Sequence, residues 1–131
     1  MTEPLNAVGA ITMFIEDRDR AKAFYERAFD AAPVYEDDNS VVFKLENTVI
    51  NLLVSREAHD LIGPAPVAEA GTGSRFQLTV WVDDTDAACR ELGGRGVELL
   101  NGPMDRPWGM RTAAFADPDG HVWELAAGTG T

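Results

Sequence analysis

In residues 12–19, TMFIEDRD, alternating side chains run into a pair of acids, and residues 79–86, TVWVDDTD, repeat the phrase in the same order. Thr12 matches Thr79, Phe14 matches Trp81, and Asp17 and Asp19 match Asp84 and Asp86. The alternation predicts a strand with one face inward. After each acidic pair the apolar spacing changes to the helical period. Ala21, Phe24, Tyr25 and Ala28 fall at i, i+3, i+4 and i+7 and form one buried stripe, with Asp17 as N-cap. In the second copy Asp84 is the cap, Asp86 lies in the first turn, and Ala88 and Leu92 share a face. Gly93, Gly94 and Gly96 loosen the end of that helix, each internal glycine costing about 1 kcal/mol relative to alanine.

Three short strands follow each helix: 33–36, 41–45 and 48–54 in the first half, 97–100, 111–116 and 121–126 in the second. Asp37-Asp38-Asn39 and Glu46-Asn47 supply turns, and Asp117-Pro118-Asp119-Gly120 combines a preset φ at proline with the positive φ open to glycine. Residues 56–74 are rich in Gly, Ala and Pro without a sustained period, which predicts a linker. The chain therefore reads as an α+β domain spanning 1–131, built of two βαβββ modules at about 6–55 and 75–127 that form a cup-shaped mixed sheet with helices outside. Each module has too little core to stand alone, so the two should pack together or exchange between chains.

Composition adds one strong feature. Twenty-two acidic residues against 11 basic ones give a net charge of −11, spread along the chain. That field repels phosphate backbones and anionic membranes and attracts small cations. The N-terminal stretch carries neither a basic run nor a long apolar one, so a cytoplasmic, soluble protein is expected, with no nucleic-acid or membrane partner. Cys89 stands alone, which removes intrachain disulfides and cysteine-pair zinc sites; it reads as a small buried residue of the second helix.

The doubled pattern, FYERAF after the first acidic turn, VDDTDAA in the second, and FADPDGHVWEL near the end resemble the vicinal oxygen chelate superfamily, which includes glyoxalase I, extradiol dioxygenases, fosfomycin-resistance enzymes and bleomycin-resistance proteins. The resemblance runs from Ala10 to Leu125. It implies a homodimer and a cup of strands that holds one divalent metal through the first and last strand of each half. Carried over by motif, the four ligand places are Ala10, Asn51, Gln77 and Glu124. Alanine donates nothing, the amides bind hard cations weakly, and Glu124 alone brings charge, whereas a catalytic metal needs about three His, carboxylate or thiolate donors. A register slip that keeps the same face moves by two residues and reaches Val8 or Thr12, Val49 or Leu53, and Arg75 or Thr79, none of them a customary ligand. No cofactor is expected; the alternative is one divalent ion on Glu124, Gln77 and Asn51.

Residues on the same strand face as those places should line the cup: Thr12, Phe14, Asn51, Gln77, Thr79, Trp81 and Glu124. Met13, Ile15, Ile50, Leu52, Leu78, Val80, Val82, Trp123 and Leu125 then face the helices. Trp108, in NGPMDRPWGMR between strands, belongs to a PWG stretch similar to that of bleomycin-resistance proteins and reads either as a rim over the cup or as a seam residue. His121 is expected in a solvent-facing turn and His59 in the linker. The expectation is a metal-free cup that sequesters a small aromatic or cationic molecule, as in antibiotic resistance, with no catalytic residue; the alternative is a metal-dependent lyase, isomerase or dioxygenase.

Overall fold

A computed structural model describes residues 3–129. The first module contains β1 (Ile11–Ile15), α1 (Arg18–Phe29), β2 (Tyr35–Glu36), β3 (Ser40–Lys44) and β4 (Val49–Val54). A single 3₁₀ turn, Ser55–Glu57, leads into a short helix, α2 (Ala58–Ile62), so the linker is partly helical where the composition suggested none. The second module contains β5 (Gln77–Trp81), α3 (Thr85–Gly94), β6 (Leu99–Asp105), β7 (Met110–Ala116) and β8 (Val122–Gly128).

Two four-stranded mixed sheets result, ordered β1-β4-β3-β2 and β5-β8-β7-β6, and they do not close into one. In each, the helix carries the chain from the first strand to the opposite edge, the last strand returns parallel beside the first, and the repeated phrase occupies equivalent places: Thr12 stands opposite Asn51 and Thr79 opposite Glu124. Asp17 and Asp84 cap α1 and α3 by accepting from the backbone N–H of Arg20 and Ala87, each at 3.0 Å.

The stripe read from the sequence is the buried face of α1. Its rings reach both sheets. Tyr25 lies 6.0 Å from Phe43 of the first sheet and 6.1 Å from Trp123 of the second, Phe29 lies 5.0 Å from Trp123, and Phe24 lies 6.1 Å from Phe115. Helix α1 is thus packed between the helix-facing sides of the two sheets, and one apolar cluster runs through both modules. Removing a large ring from water is worth roughly 2–3 kcal/mol, so neither module could keep this core alone.

Helix α1 ends on Asp30, whose φ of 49° and ψ of 52° are left-handed while its N–H bonds to the Glu26 carbonyl. A side chain there carries strain that glycine avoids. Asp30→Gly is expected to raise stability by about 0.5–1 kcal/mol, read as a higher midpoint in urea at unchanged m.

Candidate functional site

Alternation along the strands turns the predicted lining residues away from the shared core. On the first sheet Thr12 is exposed and Phe14 and Asn51 are half-buried, with Asn51 Nδ2 donating to Thr12 Oγ1 at 3.3 Å. On the second sheet Gln77 and Thr79 are exposed and Trp81 keeps 74% of its surface in solvent. Thr79 Oγ1 donates to Glu124 Oε1 at 3.0 Å. Met13, Ile15, Ile50, Leu52, Trp123 and Leu125 point the other way and are buried, and Leu78, Val80 and Val82 pack partly against them.

The structure brings these residues together as two groups, not one. Thr12 and Phe14 line a groove of about 290 Å³ beneath linker residues 67–76, and Thr79 and Trp81 line another of about 520 Å³ between β5 and the β3–β4 turn. Because α1 separates the sheets, Asn51 faces out from one and Gln77 with Glu124 from the other. Strands β1 and β5 are edges of their sheets, each unpaired on one side among the described residues.

The residues at the four carried-over metal places do not fit a catalytic divalent ion. Ala10 precedes β1 and has no donor, Asn51 and Gln77 offer neutral amides, and Glu124 is the one anion, already accepting from Thr79. Among the described residues no three His, Cys, Asp or Glu side chains gather as a set that could hold a metal.

The segment around Trp108 differs from the sequence expectation. Residues 101–105 are not a loop between strands but the continuation of β6, which pairs with β7 through register shifts on either side of Asn101. Only residues 106–109 form the turn, closed by Arg106 N–H to the Met110 carbonyl and Gly109 N–H to the Arg106 carbonyl. Trp108 sits in this turn and is 66% exposed, so it is not packed into a seam among the described residues. Its ring centre is 6.0 Å from the Arg106 guanidinium carbon.

Arg106 and Asn101 were not singled out from the sequence. Thr112 and Ala114 share the outward face with Glu124, since Ala114 stands opposite Glu124 and Thr112 opposite Ala126. Arg106 lies over this face, with Nε donating to Thr112 Oγ1 at 2.8 Å and Nη2 to Asn101 Oδ1 at 3.4 Å. The usable signal was alternation in β7, which puts Thr112 two residues from Ala114.

His121 is the other correction. It does not face solvent: its side chain is 19% exposed and Nδ1 lies 2.7 Å from Asp117 Oδ2. The same oxygen accepts from Tyr25 O–H at 2.7 Å, Trp123 Nε1 donates to Tyr25 at 3.0 Å, and Asp117 Oδ1 takes the backbone N–H groups of Asp119 and His121. Asp119 Oδ1 accepts from the Glu16 backbone N–H at 2.9 Å. The β7–β8 turn is thereby locked onto the first module. Burial works against the Asp117 charge, yet the bonds from His121 and Tyr25 hold its carboxyl below the ordinary range. Burial likewise opposes the His121 cation, and the Asp117 bond outweighs it, raising the imidazole. Tyr25 is pushed up by burial first and then by the Asp117 charge. Asp119 is also raised by burial, and its Oδ2 has no partner among the described residues. His59 lies exposed on α2, and Cys89 is buried on α3.

The model of the Glyoxalase/Bleomycin resistance protein/Dioxygenase superfamily matches residues 7–125. A glyoxalase-related enzyme from Fulvimarina pelagi is 25% identical over 94% of this chain and 88% of its own, with a TM-score of 0.81. A glyoxalase/bleomycin resistance protein/dioxygenase from Nocardioides is 22% identical over 99% of this chain and 89% of its own, with a TM-score of 0.86. A lactoylglutathione lyase from Agrobacterium tumefaciens is 21% identical over 95% of this chain and 96% of its own, with a TM-score of 0.73. No helix among the described residues is long and apolar enough to cross a membrane.

Proposed function

Since the chain belongs to the glyoxalase/bleomycin resistance protein/dioxygenase superfamily, we propose that it binds a small, flat molecule without a metal, in a cup completed between two copies. The observation that carries this reading is the chemistry of the outward faces. The four places where the superfamily resemblance puts metal ligands hold Ala10, Asn51, Gln77 and Glu124, while Trp81 and Phe14 stand on the same faces. Rings stack a planar ligand, amides and hydroxyls read its edge, and no nucleophile or base pair is needed for sequestration.

The placement of the two outward faces is what favours a second copy in this reading. Thr12 and Asn51 face out from one sheet and Thr79 and Glu124 from the other, so a single chain offers two half-sites. Apposing the first sheet of one chain to the second sheet of its partner would cover the free edges of β1 and β5 and face the half-sites toward each other. The metal-dependent lyase, isomerase or dioxygenase reading keeps one favourable feature, that Gln77 and Glu124 share a face.

The experiment is titration with a panel of aromatic compounds, read by tryptophan fluorescence, with sedimentation of the same sample. A dimer is expected, together with a response reduced at least about tenfold in affinity by Trp81→Ala, whose exposed ring costs the fold little. Stoichiometric zinc, nickel, manganese or iron lost in Glu124→Gln would transfer the conclusion to the enzyme.

A further inference from the structure

Arg106 points to the chemical class of that ligand. Its Nε is spent on Thr112 Oγ1, beneath it and only 1% exposed, and this fixes the half-buried guanidinium over the outward face of the second sheet. Nη1 has no hydrogen-bond partner among the described residues and Nη2 has a single long bond, to Asn101. The end of the fork is therefore open. The acid next to it in sequence, Asp105, is committed to Arg111 at 3.1 Å, and Arg111 also holds Asp86 at 2.8 Å. Among the described residues no carboxylate lies within 4.0 Å of Arg106, although the chain has twice as many acids as bases.

A positioned fork with neutral partners is suited to a planar anion, which it takes through two parallel N–H···O bonds. The ring at Trp108 stands beside it, and Trp81 lies across the face, opposite Ala126, which is in turn opposite Thr112. Two strand spacings separate Trp81 from Thr112, about 10 Å, the length of a bicyclic ring bearing one substituent. The intervening residues, Ala126 and Thr112, are small and almost closed to solvent, 2% and 1% exposed, so a ring there would rest on the larger side chains that flank them.

We propose that the bound molecule is an aromatic carboxylate, its acid group on the open end of Arg106 and its ring on the surface between Trp81 and Trp108. This rests on the reading of the outward face as the binding surface, and it reverses the attraction for cations that the net charge alone suggests. The reversal is physical: at physiological salt the field of acids beyond about 8 Å is screened, and of the four that share a cavity with Arg106, Asp86 and Asp105 are paired with Arg111 and Asp84 accepts from the Ala87 N–H, while a bidentate contact acts at hydrogen-bond distance.

The test compares naphthalene-2-carboxylate with naphthalene-2-carboxamide by calorimetry and by the indole N–H shifts of Trp81 and Trp108. The expected result is at least a tenfold preference for the carboxylate in the native protein, weakening with salt. In R106Q the preference should vanish while carboxamide affinity stays unchanged. If R106Q folds poorly, R106K serves, since it keeps the charge but loses the fork, and its preference should fall several-fold. Equal binding of the two probes to the native protein, or full preference in either variant, overturns the role of Arg106 and leaves the binding face standing. Absence of binding by both probes at millimolar concentration overturns the face together with it.

Discussion

Asp117→Ala is expected to cost about 3–5 kcal/mol, because one carboxylate serves four donors and none of them has another acceptor of equal quality nearby. The substitution strips Tyr25 O–H, His121 Nδ1 and the backbone N–H groups of Asp119 and His121 of their partner. Three of these come from the turn and one from α1, so the loss falls on the contact between modules as well as on the turn. Tyr25→Phe should cost less, about 1–3 kcal/mol, since it removes one bond to Asp117 and leaves the Trp123 indole N–H unpaired. Urea denaturation of both variants gives the two values, and a loss below 1 kcal/mol for Asp117→Ala would show that the network is not what joins the halves.

The same network fixes a pH signature. The folded Asp117 carboxyl lies below its ordinary value, so its contribution is present above about 3.9 and is lost as pH falls through the folded value. The folded His121 imidazole lies above its ordinary value, so its contribution is complete below about 6.5 and is lost as pH rises through the folded value. The stability gap between the native chain and Asp117→Ala should therefore be widest between about pH 4 and 6.5 and narrow on both sides. Asp119 is raised by burial in both proteins, but the further push from the Asp117 charge is lost in Asp117→Ala, which trims the gap somewhat.

Much of this architecture was legible in the residues because strand and helix periods are local. Ala21, Phe24, Tyr25 and Ala28 had to share a face, and Thr79 and Glu124 had to stand on the side opposite Trp123 and Leu125 whichever way the sheets were joined. That same invariance hid how the modules meet. A single continuous sheet and two sheets separated by α1 bury the same alternate residues, so the pattern could not choose between them. The burial of His121 was hidden for a related reason: its partners, Asp117 and through it Tyr25, depend on the second module docking on the first, and a sequence containing Asp-Pro-Asp-Gly-His looks solvated. Arg106 was missed because Gly102 and Pro103 signal a break where the structure has an irregular strand.

That irregular strand rests on Gly102, and Gly102→Ala is expected to be the most damaging single methyl in the molecule. The residue has φ of 84°, which costs an L side chain roughly 1–2 kcal/mol. A Cβ there would also meet the Thr112 carbonyl oxygen at 2.4 Å and the Ala113 Cα at 2.8 Å, both of them backbone of the neighbouring strand. No rotamer relieves such a contact, so β6 must move off β7. Overpacking of this kind adds about 1–3 kcal/mol, for an expected loss of about 2–5 kcal/mol by urea denaturation. The consequence reaches the binding face, because Asn101 and Arg106 are carried by β6 and its turn while Thr112 is fixed in β7. Even where the variant folds, sliding β6 breaks the Arg106–Thr112 bond and releases the guanidinium. Carboxylate preference should then drop toward that of R106Q, although position 102 touches no ligand. A Gly102→Ala protein of native stability would mean that β6 and β7 stand farther apart than this close approach requires.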